Sequence, residues 1–248
     1  MIELLSCGAF SCPKDAGREN QDAILLPQPC NDGFIFAVAD GVGSYAGAGE
    51  AAKAAIDFVA GHKTRAGHEP GIIFAGIKNN IAELSQNDSA QRKAATTLSY
   101  CVVTGNELNV IHVGDTRVYV KTENKLKQLT KDHTQHQELL DAGLYNKKEL
   151  AELPGSNMLT AALSKVLPIN FQHITLPIMD YVDENGIITL IIMSDGAHHF
   201  WERRPRLSQN TLSNATNFTS TLLKRIQRIG PTDDHSLIAV NFKVSSIN

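Results

Sequence analysis

Aspartates stand at five places where an apolar run meets a turn: Asp22 in "RENQDAILL", Asp40 after "FAVA", Asp115 after "NVIHVG", Asp195 after "LIIMS", and Asp233-Asp234 before "HSLIAV". Any one of them alone reads as turn chemistry or a helix cap, the ordinary use of Asp at a strand end. Three, however, neighbour a glycine: Asp40-Gly41, Gly114-Asp115 and Asp195-Gly196. If these strand ends converge, several carboxylates meet at one rim. Like charges within a few ångströms repel, and they stay ionised only beside cations. An all-oxygen donor set, without a cysteine or histidine cluster, favours Mg²⁺ or Mn²⁺ over Zn²⁺. Two such ions about 3.5–4 Å apart bind a phosphate and activate a water for in-line attack. Asp40 has two oxygens with which to bridge them. Gly41, lacking a Cβ, lets its carbonyl or a coordinated water approach closely, and Gly43 permits the turn into a following helix. The "GVGSYAG" loop also suits an anion at a helix N-terminus, although that pattern is too common to identify one.

Such a rim needs strands to carry it. Residues 33–39 are apolar at nearly every position and read as a buried strand. Residues 47–60 read as a helix, because alanines, Ile56 and Val59 recur at three- and four-residue steps. A second helix is predicted over 72–84. Strands are predicted over 96–103, 107–113 and 117–121, the first pair turning at "TGNE". Residues 133–153 read as helical with a break near Gly143, and 186–193 as the most buried strand. Phe218, Leu222, Ile226 and Ile229 make the stripe of a late helix that stops at Gly230-Pro231, and 237–244 form a closing strand. "RAGHEPG" and "PGSN" read as loops. Tight turns imply antiparallel sheets, and strands apolar on both faces must be covered on both sides. Two packed sheets with helices outside meet that demand. No linker divides the chain, so one domain over 1–248 is expected.

Composition narrows the function classes. The chain has 248 residues, 42% hydrophobic and 20% charged, with a net charge of -3, which argues against a nucleic-acid partner. No apolar run approaches the roughly 18 residues of a membrane span, and no secretory signal is evident. Cys7, Cys12, Cys30 and Cys101 are scattered and read as free thiols in a reducing cytosol. A cytoplasmic protein without membrane attachment is expected.

The order of motifs resembles the metal-dependent protein phosphatases of the protein phosphatase 2C type, particularly the compact bacterial members. The matching blocks are "RENQDA", "VADGVGS", "ATTL", "VGDTRVYV", "LTKDHT", "NMLTAAL", "MSDGAHHF" and "DDHSLIAV", running from near residue 18 to near 240. The resemblance implies an α+β fold, a four-layer αββα sandwich of two antiparallel sheets flanked by helices. It implies hydrolysis of phosphoserine and phosphothreonine in proteins by a water bridging two Mn²⁺ or Mg²⁺ ions, without a phosphoenzyme. By the same resemblance, Asp40 bridges the two ions and Gly41 offers its backbone carbonyl. Asp195 and Asp233 bind the first ion, Asp22 holds metal or its water, and Asp115 with Asp195 holds a weaker third ion. Arg18 matches the phosphate-binding arginine. Phosphorylated proteins are the implied substrates, with a Ser/Thr kinase as partner, and a monomer is expected.

Some positions depart from the family pattern. Gln21 stands where relatives often carry Glu, and Arg18 lies four residues before Asp22 where many relatives show five, which leaves a surface salt-bridge role open to it. Val42 replaces the histidine that protonates the leaving group in eukaryotic relatives, so a coordinated water or solvent must do so. The last block reads Asp-Asp-His, and aligning Ser236 with the family's Ser/Thr favours Asp233 over Asp234 as ligand. His198, His199 and His235 read as exposed or supporting side chains, and His112 as a packed core histidine. His133, in "KDHT", belongs to a segment expected to tie a strand end to the next helix. "RRPR" (203–206) reads as a solvated face or as an attractor of acidic, phosphorylated substrate. Two alternatives stand beside the phosphatase reading: a catalytically weak or dead relative acting as a regulatory binding module, and a hydrolase of small phosphorylated metabolites. With no sensor or forkhead-type segment in view, regulation is expected from separate chains.

Overall fold

A computed structural model describes residues 1–31, 33–43, 46–62, 69–155 and 158–245. Parts of the "RAGHEPG", "PGSN", "VADGVGS", "GVGSYAG" and "NMLTAAL" segments lie outside the described residues. The first half runs β1 (Ile2–Cys12), β2 (Asp22–Cys30), β3 (Gly33–Asp40), α1 (Ala48–Gly61), α2 (Pro70–Asn87), β4 (Ala95–Thr96), β5 (Leu98–Thr104), β6 (Glu107–Val113), β7 (Arg117–Thr122) and β8 (Lys125–Gln128). The second half runs α3 (Gln135–Asp141), α4 (Lys147–Leu150), β9 (Leu163–Ser164), β10 (Gln172–Pro177), β11 (Ile187–Met193), α5 (Asp195–Glu202), α6 (Gln209–Leu212), α7 (Ala215–Ile229) and β12 (His235–Val244).

Two five-stranded antiparallel sheets form, in the orders β1-β12-β11-β7-β8 and β10-β6-β5-β3-β2, with a small β4-β9 pair beside them. Between the sheets lies a core that includes Phe36, Val38, Ile188, Leu190, Ile192 and Phe242. A second core lies where α1 and α2 cover β3 and its neighbours, and a third where α5, α6 and α7 cover β11 and β12. The layers therefore run helix, sheet, sheet, helix.

The pattern of side chains explains the layers. α1 buries Ala48, Ala51, Ala52 and Ala55, whose small side chains let the helix lie close on its sheet, while Ile56 and Val59 fill the far end. α7 buries Phe218, Leu222 and Ile226; Ile229 is 50% exposed, because the helix ends at Gly230 with φ 96°. The strand predicted over 96–103 is interrupted at Thr97, which separates β4 from β5 and whose backbone and hydroxyl turn to Asp40. The helical stretch predicted over 133–153 is two short helices, α3 and α4, with Gly143 at φ 69° between them. Strands β1, β8, β9 and β10 and helices α5 and α6 add to the elements predicted from sequence. None of the four cysteines forms a disulfide among the described residues. Among the described residues, no helix is long and apolar enough to cross a membrane.

Candidate active site

The ends of β3, β6 and β11 and the approaches to β2 and β12 meet at a cleft of about 330 Å³, whose lining includes Arg18, Asp40, Gly41, Asp115, Asp195 and Asp233. Asp22 lies buried directly opposite Asp40 in the antiparallel register of β2 and β3. Two like charges so placed repel across the ladder. Ser194 Oγ donates to Asp22 Oδ2 at 2.9 Å, while Asp22 Oδ1 is buried without a hydrogen-bond partner among the described residues.

The backbone at Asp40 is pinned from the β4–β5 break. Thr97 Oγ1 accepts from Asp40 N at 3.1 Å, and Thr97 N and Thr96 Oγ1 donate to the Asp40 carbonyl at 2.8 and 3.0 Å. Gly41 N donates to the Gln21 carbonyl at 3.1 Å. A Cβ at Gly41 would stand 2.6 Å from the Ala48 carbonyl oxygen and 2.7 Å from that of Gln21, so any side chain would push the strand end out of place. Gly43 follows in the left-handed region, at φ 69°.

Asp115 sits in the β6–β7 turn, buried, with its carbonyl accepting from His198 Nε2 at 3.1 Å. Asp195 opens α5, where a carboxylate suits the positive end of the helix. The preceding Ser194 does not cap that helix with its side chain; its hydroxyl serves Asp22 and accepts from Ser236 N at 2.9 Å.

Asp233 and Asp234 divide their work. Asp234 is buried, and its two oxygens accept from Lys14 N and Gln21 N, each at 2.8 Å. Asp233 has 53% of its side chain exposed and faces the cleft, with its Oδ1 accepting from Asp234 N at 2.9 Å. Arg18 stands at the cleft edge. Its Nη2 donates to Gln21 Oε1 at 3.0 Å, and its guanidinium lies 4.0 Å from Asp233 and 3.7 Å from Asp234.

Burial and mutual repulsion raise the carboxyl pKa values here. Burial pushes Asp22 up to about 7, with the charges of Asp195 and Asp234 adding to the rise. Asp115 rises to about 8 through burial and then the charges of Asp195 and Asp132. Asp40 is held well above the usual carboxylate range by burial and by Asp22, Asp195 and Asp115, and Asp195 is raised by burial and Asp233. Among the described residues, no three carboxylate, imidazole or thiol groups stand as a ready-formed ligand cluster; Asp40, Asp115, Asp195 and Asp233 line a shared cleft instead.

The histidines take supporting places. His198 holds the Asp115 carbonyl, His235 Nδ1 donates to the Asp233 carbonyl at 3.1 Å, and His199 is exposed. His112 is fully buried between Ser99 and the Lys131 carbonyl, and burial lowers its pKa to about 3, so it stays neutral. His133 ties its segment to the Asp115 turn: its N donates to the Gly114 carbonyl at 2.7 Å, and its Nδ1 accepts from Gly114 N at 3.0 Å. Thr134 then caps α3. A pairing not foreseen from sequence braces the same turn. Arg117 grips Asp132 through Nε and Nη2, at 2.6–3.0 Å, and reaches Glu202 with Nη1 at 2.6 Å. The charged pair within "GDTR" and "LTKDHT" was its only signal.

The sequence model of the protein phosphatase 2C family matches residues 14–240. The chain belongs to the protein phosphatase 2C family. Serine/threonine protein phosphatase PstP of Mycobacterium tuberculosis is 31% identical over 139 residues, which cover 52% of this chain and 26% of PstP. Protein phosphatase PhpP of Streptococcus pneumoniae is 29% identical over 126 residues, covering 49% of this chain and 51% of PhpP. The chain thus spans between a quarter and about half of the length of these relatives. Its protein phosphatase 2C fold is shared with a crystal structure of PstP, at TM-score 0.78 and 20% identity over 98% of this chain and 100% of that one. A bacterial serine phosphatase superposes at TM-score 0.83 and 16% identity, covering 99% and 100%. The catalytic domain of PstP in complex with two manganese ions superposes at TM-score 0.74 and 20% identity, covering 98% and 100%.

Proposed function

We propose that residues 1–248 act as one catalytic domain that hydrolyses phosphoserine and phosphothreonine esters of proteins with bound Mn²⁺ or Mg²⁺. The observation that carries this reading is a group of mutually repelling carboxylates: Asp40, Asp115, Asp195 and Asp233 line one cleft, and the buried Asp22 stands opposite Asp40 with one oxygen lacking a hydrogen-bond partner among the described residues. Hard divalent cations fit such oxygens, which otherwise need protons at neutral pH. Asp22, Asp40, the Gly41 carbonyl, Asp195 and Asp233 would hold two ions, and Asp115 with Asp195 a weaker third. Asp233 suits ligation better than Asp234, both of whose oxygens already accept backbone N–H bonds. When bound, the ions would neutralise these acids, polarise a phosphoryl oxygen and lower the pKa of a water.

The chain's own residues would do the rest. Arg18 would turn its fork from Gln21 toward the non-bridging oxygens of the phosphate. Ser194 and Thr97 fix the orientation of Asp22 and the backbone of Asp40. The Val42 side chain has no acidic proton to give, so solvent would protonate the departing serine or threonine oxygen. Phosphoprotein substrates imply a Ser/Thr kinase that makes them. The names of the relatives support this substrate class, and the manganese complex of PstP supports the metal.

The test is phosphate release from a phosphothreonine peptide in Mn²⁺. Activity should vanish with a chelator and fall by at least about 10³-fold in Asp40→Asn. Retention of wild-type turnover by Asp40→Asn would overturn the assignment, and preference for small phosphate esters over phosphopeptides would move the substrate to metabolites.

A further inference from the structure

A larger groove, of about 590 Å³, lies between the end of α5 and the flank of α7. Arg203, Arg204 and Arg206 line one side of it, and Lys224, Arg225 and Arg228 the other. In the second set Arg228 lies four residues after Lys224 and three after Arg225, the steps that bring side chains together on a helix; Lys224 and Arg228 are exposed and Arg225 is half-buried. Among the described residues, no acid lines the groove. The neighbouring Glu202 is engaged by Arg117 at 2.6 Å and accepts from Tyr119 Oη at 3.3 Å. Among the described residues, none of the six cations has a carboxylate within ion-pair distance.

Arg225 is held in place by backbone oxygens instead. Its Nη1 donates to the Arg204 carbonyl at 2.9 Å and the Phe200 carbonyl at 3.2 Å, which fixes the guanidinium between the two basic walls. Burial and then the charges of Arg204 and Arg228 lower its pKa, as expected of a cation crowded by cations. Like charges on one helix face cost stability, and the chain as a whole carries a net charge of -3. A concentrated positive field on an otherwise acidic molecule calls for an acidic partner. The walls are not purely polar: Phe200 and Leu207 contribute to them, and Ile229, 50% exposed, joins them. Apolar walls among fixed cations suit a peptide, which brings backbone and side-chain carbon with its charge.

We infer that this groove docks an acidic segment of a protein partner, apart from the carboxylate cleft. The net negative charge elsewhere on the chain disfavours a nucleic acid, whose phosphates would extend past the groove. The groove lies at the opposite end of α5 from Asp195, about 12 Å along an eight-residue helix, so a bound segment could extend toward the cleft without filling it.

The test does not use catalysis, so it stands or falls separately from the phosphatase reading. Binding of fluorescein-labelled decaglutamate is followed by fluorescence anisotropy against wild-type protein, Lys224→Glu/Arg228→Glu, and a control reversal of Lys125→Glu on β8. All three positions are exposed, and unchanged circular dichroism and melting temperature establish that the variants fold. The groove reversal should weaken binding by about tenfold or more, while the control stays within about twofold of wild type. Affinity should also fall as salt rises past about 0.1 M. Equal binding by wild type and the groove variant would overturn the proposal. So would tighter groove-dependent binding of a single-stranded oligonucleotide or of anionic lipid vesicles than of the peptide.

Discussion

Asp233 and Asp234 are adjacent in sequence and opposite in use. Asp234 spends both oxygens on the amides of Lys14 and Gln21. Asp234→Ala should therefore cost about 2–4 kcal/mol in urea denaturation, by leaving those amides without their charged acceptor. Asp233→Ala, at an exposed side chain, should change stability by no more than about 0.5 kcal/mol and instead weaken Mn²⁺ binding in calorimetry. A second prediction concerns pH. In cation-free protein, Asp22 keeps its proton up to about 7, whereas an ordinary carboxyl releases it near 3.8. The folded state then binds the extra proton between those values, so its stability from this group falls as pH rises through that window and stays low above it. The rise in melting temperature on adding Mn²⁺ should grow from about pH 5 to about pH 8, and Asp22→Asn should flatten that growth. The acids themselves were legible because each abuts an apolar run. Ser194, Thr97 and the Arg117–Asp132 pair were not, since their partners lie far along the chain and only the folded register selects them.

At the scale of elements, α5 is the piece whose seating matters most to the cleft, since it begins with Asp195. A Cβ at Gly196 would run into the Asp234 carbonyl, so helix and β12 approach as closely as backbones can. Gly196→Ala should lift the start of α5, cost about 1–3 kcal/mol in stability, and lower phosphatase turnover more than a surface change on the same helix. Differential scanning calorimetry and peptide assays would read both effects. α5 escaped the sequence reading because eight residues carry little more than two turns of pattern, here Ala197, Phe200 and Trp201. β1 escaped for a different reason: its register with β12 shifts between Leu4 and Ser6, which breaks the alternation that marks a strand. The long buried strands β3 and β11 kept their apolar runs intact and were readable.

At the scale of the molecule, the cleft draws acids from both sheets: Asp40, with the buried Asp22 paired to it, from one, and Asp195 and Asp233 from the borders of β11 and β12 in the other. What keeps the two halves of the cleft together is the inter-sheet core. Phe242 sits there with ring centroids 5.2 Å from Phe34 and 6.1 Å from Phe36 across the sheets. Phe242→Ala should cost about 3–5 kcal/mol by chemical denaturation, and saturating Mn²⁺ should recover part of that loss, because a ligand shared by both sheets favours only their assembled state. The sandwich was inferable from consecutive strands and tight turns, but the strand order was not, because no local signal sets β1 beside β12.

That neighbouring has a temporal side. Ile2 pairs with Val244, and Asp234 fastens the loop before β2. A chain emerging from the ribosome thus carries β1 unmated until β12 has been made and has cleared the exit tunnel. Only then do the two rims of the cleft close on each other, so a half-made copy lacks the assembled carboxylate cleft.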